Sequence, residues 1–292
     1  MKREMKSNLL KIIILSITLV FFTNCSFLKR KDEVIVTPEM VLTSIFLDDA
    51  YSLNKYLSEG FPIDYRDSSD KTLLMDILDH NSLQSLNIVL TRGIDTEIRD
   101  NSGRTAIFYV RSLLALQAMK EAGANINVVS TEDKDSLLVY FIKEKSSVYS
   151  TYLIKNGSDF SIEDKNGWNA LFWSVTVGEA SVVKELKNVG ANYLEVDDKG
   201  NYPIYYAYDE EILLELLDIE GYNLKLKNKK NENILGEVYL RAVANGYIQV
   251  VEKLFKLGVN PRYISYGDSA MSIANKFNNI EMIKFLKDNN IK

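Results

Sequence analysis

The stretch Asp164-Lys165-Asn166-Gly167-Trp168-Asn169-Ala170-Leu171-Phe172-Trp173-Ser174-Val175, followed by Gly178, then Val182-Val183-Lys184-Glu185-Leu186 and Gly190-Ala191-Asn192, decides how the chain folds. Asp-Lys-Asn-Gly is a turn signal. Asn169 can cap a helix by accepting a backbone N–H bond. Leu171, Ser174 and Val175 share one helical face at i, i+3 and i+4. Gly178 ends that helix, and Val182, Val183 and Leu186 point inward from a second. Gly190 then supplies the left-handed backbone that closes it. The unit reads turn, helix, helix, loop. Alone it cannot cover its apolar face, but stacked copies cover one another.

The unit recurs. Gly60, Gly93, Gly123, Gly157, Gly190, Gly221 and Gly258 stand 33, 30, 34, 33, 31 and 37 residues apart. Six of them have Asp or Asn two positions on (Asp95, Asn125, Asp159, Asn192, Asn223 and Asn260), and Gly60 has Pro62 and then Asp64. A period in the low thirties marks a stacked-repeat protein. Other copies have their first-helix cap at Thr72, Thr105, Ser136, Tyr202 and Ser269, and the last ends at Asn290 in the glycine place. About eight units fill residues 38–292. From cap to glycine, Thr72–Gly93, Ser136–Gly157 and Asn169–Gly190 each span 21 residues. Thr105–Gly123 is three shorter, Tyr202–Gly221 two shorter, and Asn233–Gly258 four longer. Kinks are therefore expected near residues 105–123 and 233–258.

This pattern resembles the ankyrin repeat, D-x-x-G-x-T-P-L-H-x-A-A-x-x-G followed by V-x-x-L-L-x-x-G-A. Asp100-Asn-Ser-Gly103-Arg104-Thr105-Ala-Ile107-Phe108 and Asp67-Ser-Ser-Asp70-Lys71-Thr72-Leu-Leu74-Met75 carry it, and Pro203 keeps the proline of the first helical turn. The family histidine is replaced by Met75, Phe108, Val139, Phe172, Tyr205 and Ser272, which removes a polar link between neighbours. The resemblance implies an all-α ankyrin-repeat solenoid of about eight helix-turn-helix units joined by hairpin-like loops. It also implies a concave hairpin-and-first-helix face that binds a protein.

Two features mark candidate partner-binding residues. Tyr109, Tyr140, Trp173 and Tyr206 share one register in successive copies, just after the missing histidine. They form either a binding stripe, since Tyr and Trp dominate interface hot spots, or packing between neighbouring first helices. The register just after the turn glycine, which the resemblance places on the concave face, holds Lys71, Arg104, Asp135, Trp168, Asn201, Glu232 and Asp268. A Trp among polar residues there has no evident packing reason, so Trp168 either binds a partner or folds over its own hairpin. Arg104 and the turn-tip residues Lys165 and Asn166 complete the candidate surface.

Composition excludes several classes. Net charge is −5, and removing residues 1–24, with Lys2, Arg3, Lys6 and Lys11 against Glu4, leaves −8. Nucleic-acid binding needs a basic face, so none is expected. One cysteine, Cys25, and one histidine, His80, exclude an internal disulfide and argue against metal and iron–sulfur sites. No nucleophile elbow, P-loop, zinc-protease or calcium-loop pattern occurs. Adjacent carboxylates such as Asp48/Asp49, Asp197/Asp198 and Glu210/Glu211 diverge on a helix and read as solubilising charge. The chain is expected to be a monomeric, cofactor-free non-enzyme. The rivals are a structural or protective envelope component shielding a partner enzyme, and an enzyme site in the irregular 233–258 unit.

Residues 1–24 read as targeting. Lys2, Arg3 and Lys6 precede the apolar run Ile12–Phe22, which is short for a spanning helix and matches a signal h-region. The run ends at Phe21-Phe22-Thr23-Asn24-Cys25-Ser26, which resembles a bacterial lipoprotein signal, with Phe22 and Asn24 departing from its usual residues. The resemblance implies cleavage before Cys25, acylation of its thiol, and a tether over residues 25–37. The protein would then be exported and held by lipid in a cell-envelope membrane. Cys25→Ser should release the full chain into the soluble fraction on membrane sedimentation; unchanged membrane association would favour an uncleaved helix instead.

Overall fold

Among the described residues eight helix pairs follow one another, because an apolar stripe needs a neighbour to cover it. The computed structural model describes residues 35–219 and 226–291. The chain divides into two units, residues 1–38 and 39–292. Of the first, only residues 35–38 are described, so Cys25 and the export segment lie outside the described residues, as do Gly221 and Asn223. None of the described helices is long and apolar enough to cross a membrane.

The pairs are α1 (Pro38–Phe46) with α2 (Ala50–Ser58), α3 (Leu73–Asp79) with α4 (Leu83–Thr91), and a 3-10 helix (Ala106–Tyr109) with α5 (Leu113–Glu121). Next come α6 (Leu137–Lys143) with α7 (Ser147–Lys155) and α8 (Ala170–Val177) with α9 (Ala180–Asn188). A second 3-10 helix (Pro203–Tyr206) pairs with α10 (Glu210–Leu217), α11 (Ile234–Asn245) with α12 (Ile248–Lys256), and α13 (Ala270–Lys276) with α14 (Ile280–Asp288). The expected all-α solenoid of about eight units is what forms. Its hairpin-like loops close through isolated bridges such as Arg66 with Thr72 and Lys227 with Asn233. In the eighth repeat the hairpin is a short antiparallel ladder, β1 (Ile264–Ser265) against β2 (Asp268–Ser269).

The capping predicted from sequence holds in the regular copies. Asn169 Oδ1 accepts from Leu171 N at 3.0 Å and Phe172 N at 3.3 Å, and Ser136 Oγ accepts from Val139 N at 3.2 Å. Leu171, Ser174, Val175, Val182, Val183 and Leu186 are all buried. Each apolar side chain among them contributes roughly 1.5–3 kcal/mol by leaving water. First helices pack on the first helices of adjacent repeats and second helices on second helices, giving two layers with the apolar core between and within them. His80 caps the end of α3 and is exposed.

The irregular spacings have a local cause. Second helices keep nine residues in every repeat except the sixth, where α10 has eight. First helices absorb the variation. Where the sequence is short, after Thr105 and Tyr202, the α-helix shrinks to a four-residue 3-10 helix. Neither residue makes a capping bond, and the Thr105 hydroxyl is buried without a partner. Where the sequence is long, α11 extends to twelve residues.

Two glycines separate backbone from steric constraint. Gly178 closes α8 at φ +83, and a Cβ there would meet nothing within 4 Å. Gly103, at φ +70, would drive a Cβ to 2.6 Å from Thr131 Cβ in the next hairpin. Gly178→Ala should therefore cost about 1 kcal/mol, the backbone penalty alone. Gly103→Ala should cost more, and Thr131→Gly in that background should recover part of the difference. Urea unfolding midpoints check this; equal losses with no recovery would contradict it.

Candidate functional site

In five repeats the hairpin that precedes the first helix is organised by one side chain at its start. Asp67, Asp100, Asp164 and Asp197 each accept, on Oδ1, the backbone N–H two residues on and the one four residues on, at 2.8–3.1 Å. Asn228 does the same in the seventh repeat through its amide oxygen. In three repeats the second carboxylate oxygen reaches further. Asp164 Oδ2 accepts from Trp173 Nε1 at 3.0 Å, Asp197 Oδ2 from the Tyr206 hydroxyl at 2.5 Å, and Asp100 Oδ2 from the Tyr109 hydroxyl. Three of the four aromatic residues of the register are thus pinned to the hairpin of their own repeat, nine residues back. Tyr140 has Thr131 at that place; its ring instead packs edge-on against Phe108 and Phe141, both at 5.3 Å.

A second set of contacts joins repeats. The residue after each hairpin tip lies over the aromatic residue of the following repeat. Lys71 Nζ is 4.7 Å from the Tyr109 ring centre, and the Arg104 guanidinium is 5.2 Å from that of Tyr140. The Trp168 ring is 4.7 Å from that of Tyr206. The fourth repeat uses Lys143 instead, 4.1 Å from the Trp173 ring and paired with Asp135 at 2.6 Å and Asp164 at 3.1 Å. Cation–ring contacts of this kind contribute about 0.5–1 kcal/mol when exposed and more when desolvated. Trp168 therefore does have a packing reason: it is the aromatic member of a row otherwise held by cations. It also meets Phe172 at 5.9 Å and Trp173 at 5.2 Å, and is half-buried.

Tyr109, Tyr140, Trp173 and Tyr206 are likewise half-buried, with part of each ring left to solvent. Lys165 and Asn166 sit exposed at the fifth hairpin tip. Lys165 Nζ pairs with Asp133 of the preceding hairpin at 2.6 Å, and Asn166 N donates to Asp164. Hairpins are further linked by Lys165 N to Asp133 O at 3.3 Å, Lys229 N to Lys199 O at 2.9 Å, and Asn228 Nδ2 to Asn201 Oδ1 at 2.9 Å. These stand in place of the polar link that the missing histidine removes. Met75, Phe108, Val139 and Phe172, at the histidine register, are buried apolar residues. Among the described residues no group of His, Cys, Asp and Glu could hold a metal ion.

The sequence reading did not find the nine-residue pairing of hairpin aspartate with helix aromatic. Its signal was present, since Asp100/Tyr109, Asp164/Trp173 and Asp197/Tyr206 repeat one interval. Burial raises the pKa of the Asp164 carboxyl, but hydrogen bonds from Asn166 N, Trp168 N, Lys143 and Trp173 outweigh it and hold it below the ordinary aspartate value. A depressed folded pKa stabilises fully above the unfolded value and is lost as pH falls through the folded one. Asp164→Asn should cost about 2 kcal/mol at neutral pH. It should also flatten the loss of stability below about pH 4. Unfolding midpoints across that range check this, and an unchanged acid slope would contradict it.

Comparison with known proteins fits this geometry. Residues 138–228 match the family model described as ankyrin repeats (3 copies). An ankyrin repeat protein of Acanthamoeba polyphaga mimivirus is 24% identical over 169 residues, 55% of this chain and 22% of the relative. The chain thus spans about a fifth of the length of the curated relative it matches. The crystal structure of the ankyrin repeat domain of Bcl-3, a member of the IkappaB protein family, superposes with a TM-score of 0.62 at 20% identity, covering 76% of this chain and all of that one. The human ASB11 ankyrin repeat domain gives 0.59 at 17% identity, over 70% of this chain and 98% of that one. The fold is that of an ankyrin-repeat solenoid, an architecture that generally serves as a protein-interaction module.

Proposed function

We propose that this chain is a non-enzymatic, monomeric protein-binding module that holds its partner on the hairpin-and-first-helix face. We propose further that an acylated Cys25 anchors it to a cell-envelope membrane. One observation carries the binding reading: the row Tyr109, Tyr140, Trp173 and Tyr206 presents partly exposed rings whose positions are fixed from both sides. Their own hairpin holds the polar tips of three of them, and the preceding repeat covers the rings. Rings already held in place lose little side-chain freedom on binding, so more of their contact energy goes into affinity. Tyr, Trp and Arg are also the residue types that dominate interface hot spots. Arg104 and Trp168 flank the row, and Lys165 and Asn166 offer polar groups at its rim. The anchoring reading rests on the signal-like segment and on Cys25 at its end.

The two faces can be compared directly. A photo-crosslinking residue at Asn166, an exposed hairpin tip, should capture a discrete protein from envelope extracts. The same residue at Val148, exposed on α7 in the second-helix layer, should not. Capture from Val148 and none from Asn166 would overturn the assignment of the face.

A further inference from the structure

The shortest and longest first helices are neighbours in the stack. The sixth repeat has the 3-10 helix Pro203–Tyr206 where a full helix would stand, and α11 of the seventh runs one turn beyond the others. The truncated helix faces α11, whose Arg241 reaches back to the Ile204 carbonyl of the sixth repeat. A cavity of ≈ 340 Å³, open to solvent, has Arg241 among its lining. The aromatic wall is Tyr205 and Tyr208 on one side and Tyr266 and Phe277 on the other. Glu232 ties that wall together, accepting from the Tyr205 hydroxyl at 3.1 Å and the Tyr266 hydroxyl at 2.6 Å.

Among the described residues Arg241 has no carboxylate in direct contact; Glu237, one turn earlier on α11, attracts it at longer range. Its guanidinium lies 4.6 Å from the Tyr208 ring centre and 5.9 Å from that of Tyr205, and Nη2 donates to Ile204 O at 3.3 Å. Nε is buried with no acceptor, and among the described residues no carboxylate comes within ion-pair distance of the group. Lys71, Arg111 and Lys143 on the same face each meet an aspartate. Burial outweighs the attraction of Tyr208, Tyr205 and Glu237 and holds the Arg241 pKa below the ordinary guanidinium range, so the group is desolvated. A desolvated charge without a partner is costly, and a planar fork of N–H donors suits a carboxylate. The two carboxylates that line the cavity each have one oxygen occupied by hydroxyl donors. Glu237 Oε1 accepts from Tyr263 at 2.8 Å and Ser265 at 2.6 Å, and Asp268 Oδ1 from Ser272 at 3.1 Å. Lys276 adds a second cation at the lining.

We propose that this cavity is a carboxylate subsite of the partner-binding face, seating an acidic side chain or the C-terminal carboxylate of a bound protein against Arg241 between the tyrosine rings. The inference rests on the protein-binding reading and gives that partner a chemistry.

The test is an NMR titration of the full chain carrying isotopically labelled arginine, with the Arg241 Nε–H signal identified by its loss in Arg241→Gln. N-acetyl-glutamate amide should shift that signal saturably and N-acetyl-glutamine amide should not. N-acetyl-glycine, which offers only a terminal carboxylate, distinguishes the two sources: it matches or exceeds the glutamate probe if the site takes a chain terminus. Arg241→Lys keeps the charge without the fork and should weaken the glutamate probe about tenfold. Absence of any saturable shift, or an equal shift with the glutamine probe, overturns the proposal. The probes need no protein partner. Capture through Asn166 together with a silent cavity therefore sinks the subsite alone, and a responding cavity without capture sinks the wider reading alone.

Discussion

The carboxylate that opens the hairpins of the third, fifth and sixth repeats joins several parts of the structure at once. In Asp100, Asp164 and Asp197 one oxygen gathers two backbone N–H groups and so sets the turn. The other oxygen holds the polar tip of an aromatic side chain nine residues on. Hairpin and first helix thereby become one piece within a repeat. The rings of Tyr109 and Tyr206 then support the side chain that follows the preceding hairpin tip, and that of Trp173 supports Lys143, so the same residues also join repeats. Substituting that aspartate removes a turn, a helix contact and an inter-repeat contact together.

The sequence made the local structure legible and left the lateral structure hidden. Asn169, Ser136 and Ser269 announced helix starts because a cap needs only its own next three residues. Gly190 and Asn290 announced helix ends because the left-handed backbone, at φ +83 and +59, restricts residue type at one position. Trp168 was opaque by contrast. Its reason for being there is Tyr206, a full repeat along the stack, and nothing in the hairpin itself indicates it. Arg241 was opaque for the same reason. Its setting is made by Ile204, Tyr205 and Tyr208 of the preceding repeat, which its own helix does not announce.

Irregularity in the period has a structural consequence. The second-helix layer stays almost constant, which keeps the stack in step, while insertions and deletions fall in the first helices that border the candidate face. A deletion of two or three residues turns an α-helix into a single 3-10 turn, and an insertion of four adds a turn. The two changes lie side by side, and residues of both helices line the cavity. The aromatic row and the cavity thus both draw on the first-helix layer.

The central claim is that the residue after one hairpin tip and the aromatic of the next repeat act as a coupled pair that holds the face in order. A double-mutant cycle of Trp168→Ala and Tyr206→Ala, read from equilibrium unfolding of the full chain, tests it most directly. The account predicts a coupling of about 1 kcal/mol between the two positions. Losses that simply add, within about 0.3 kcal/mol, would contradict it.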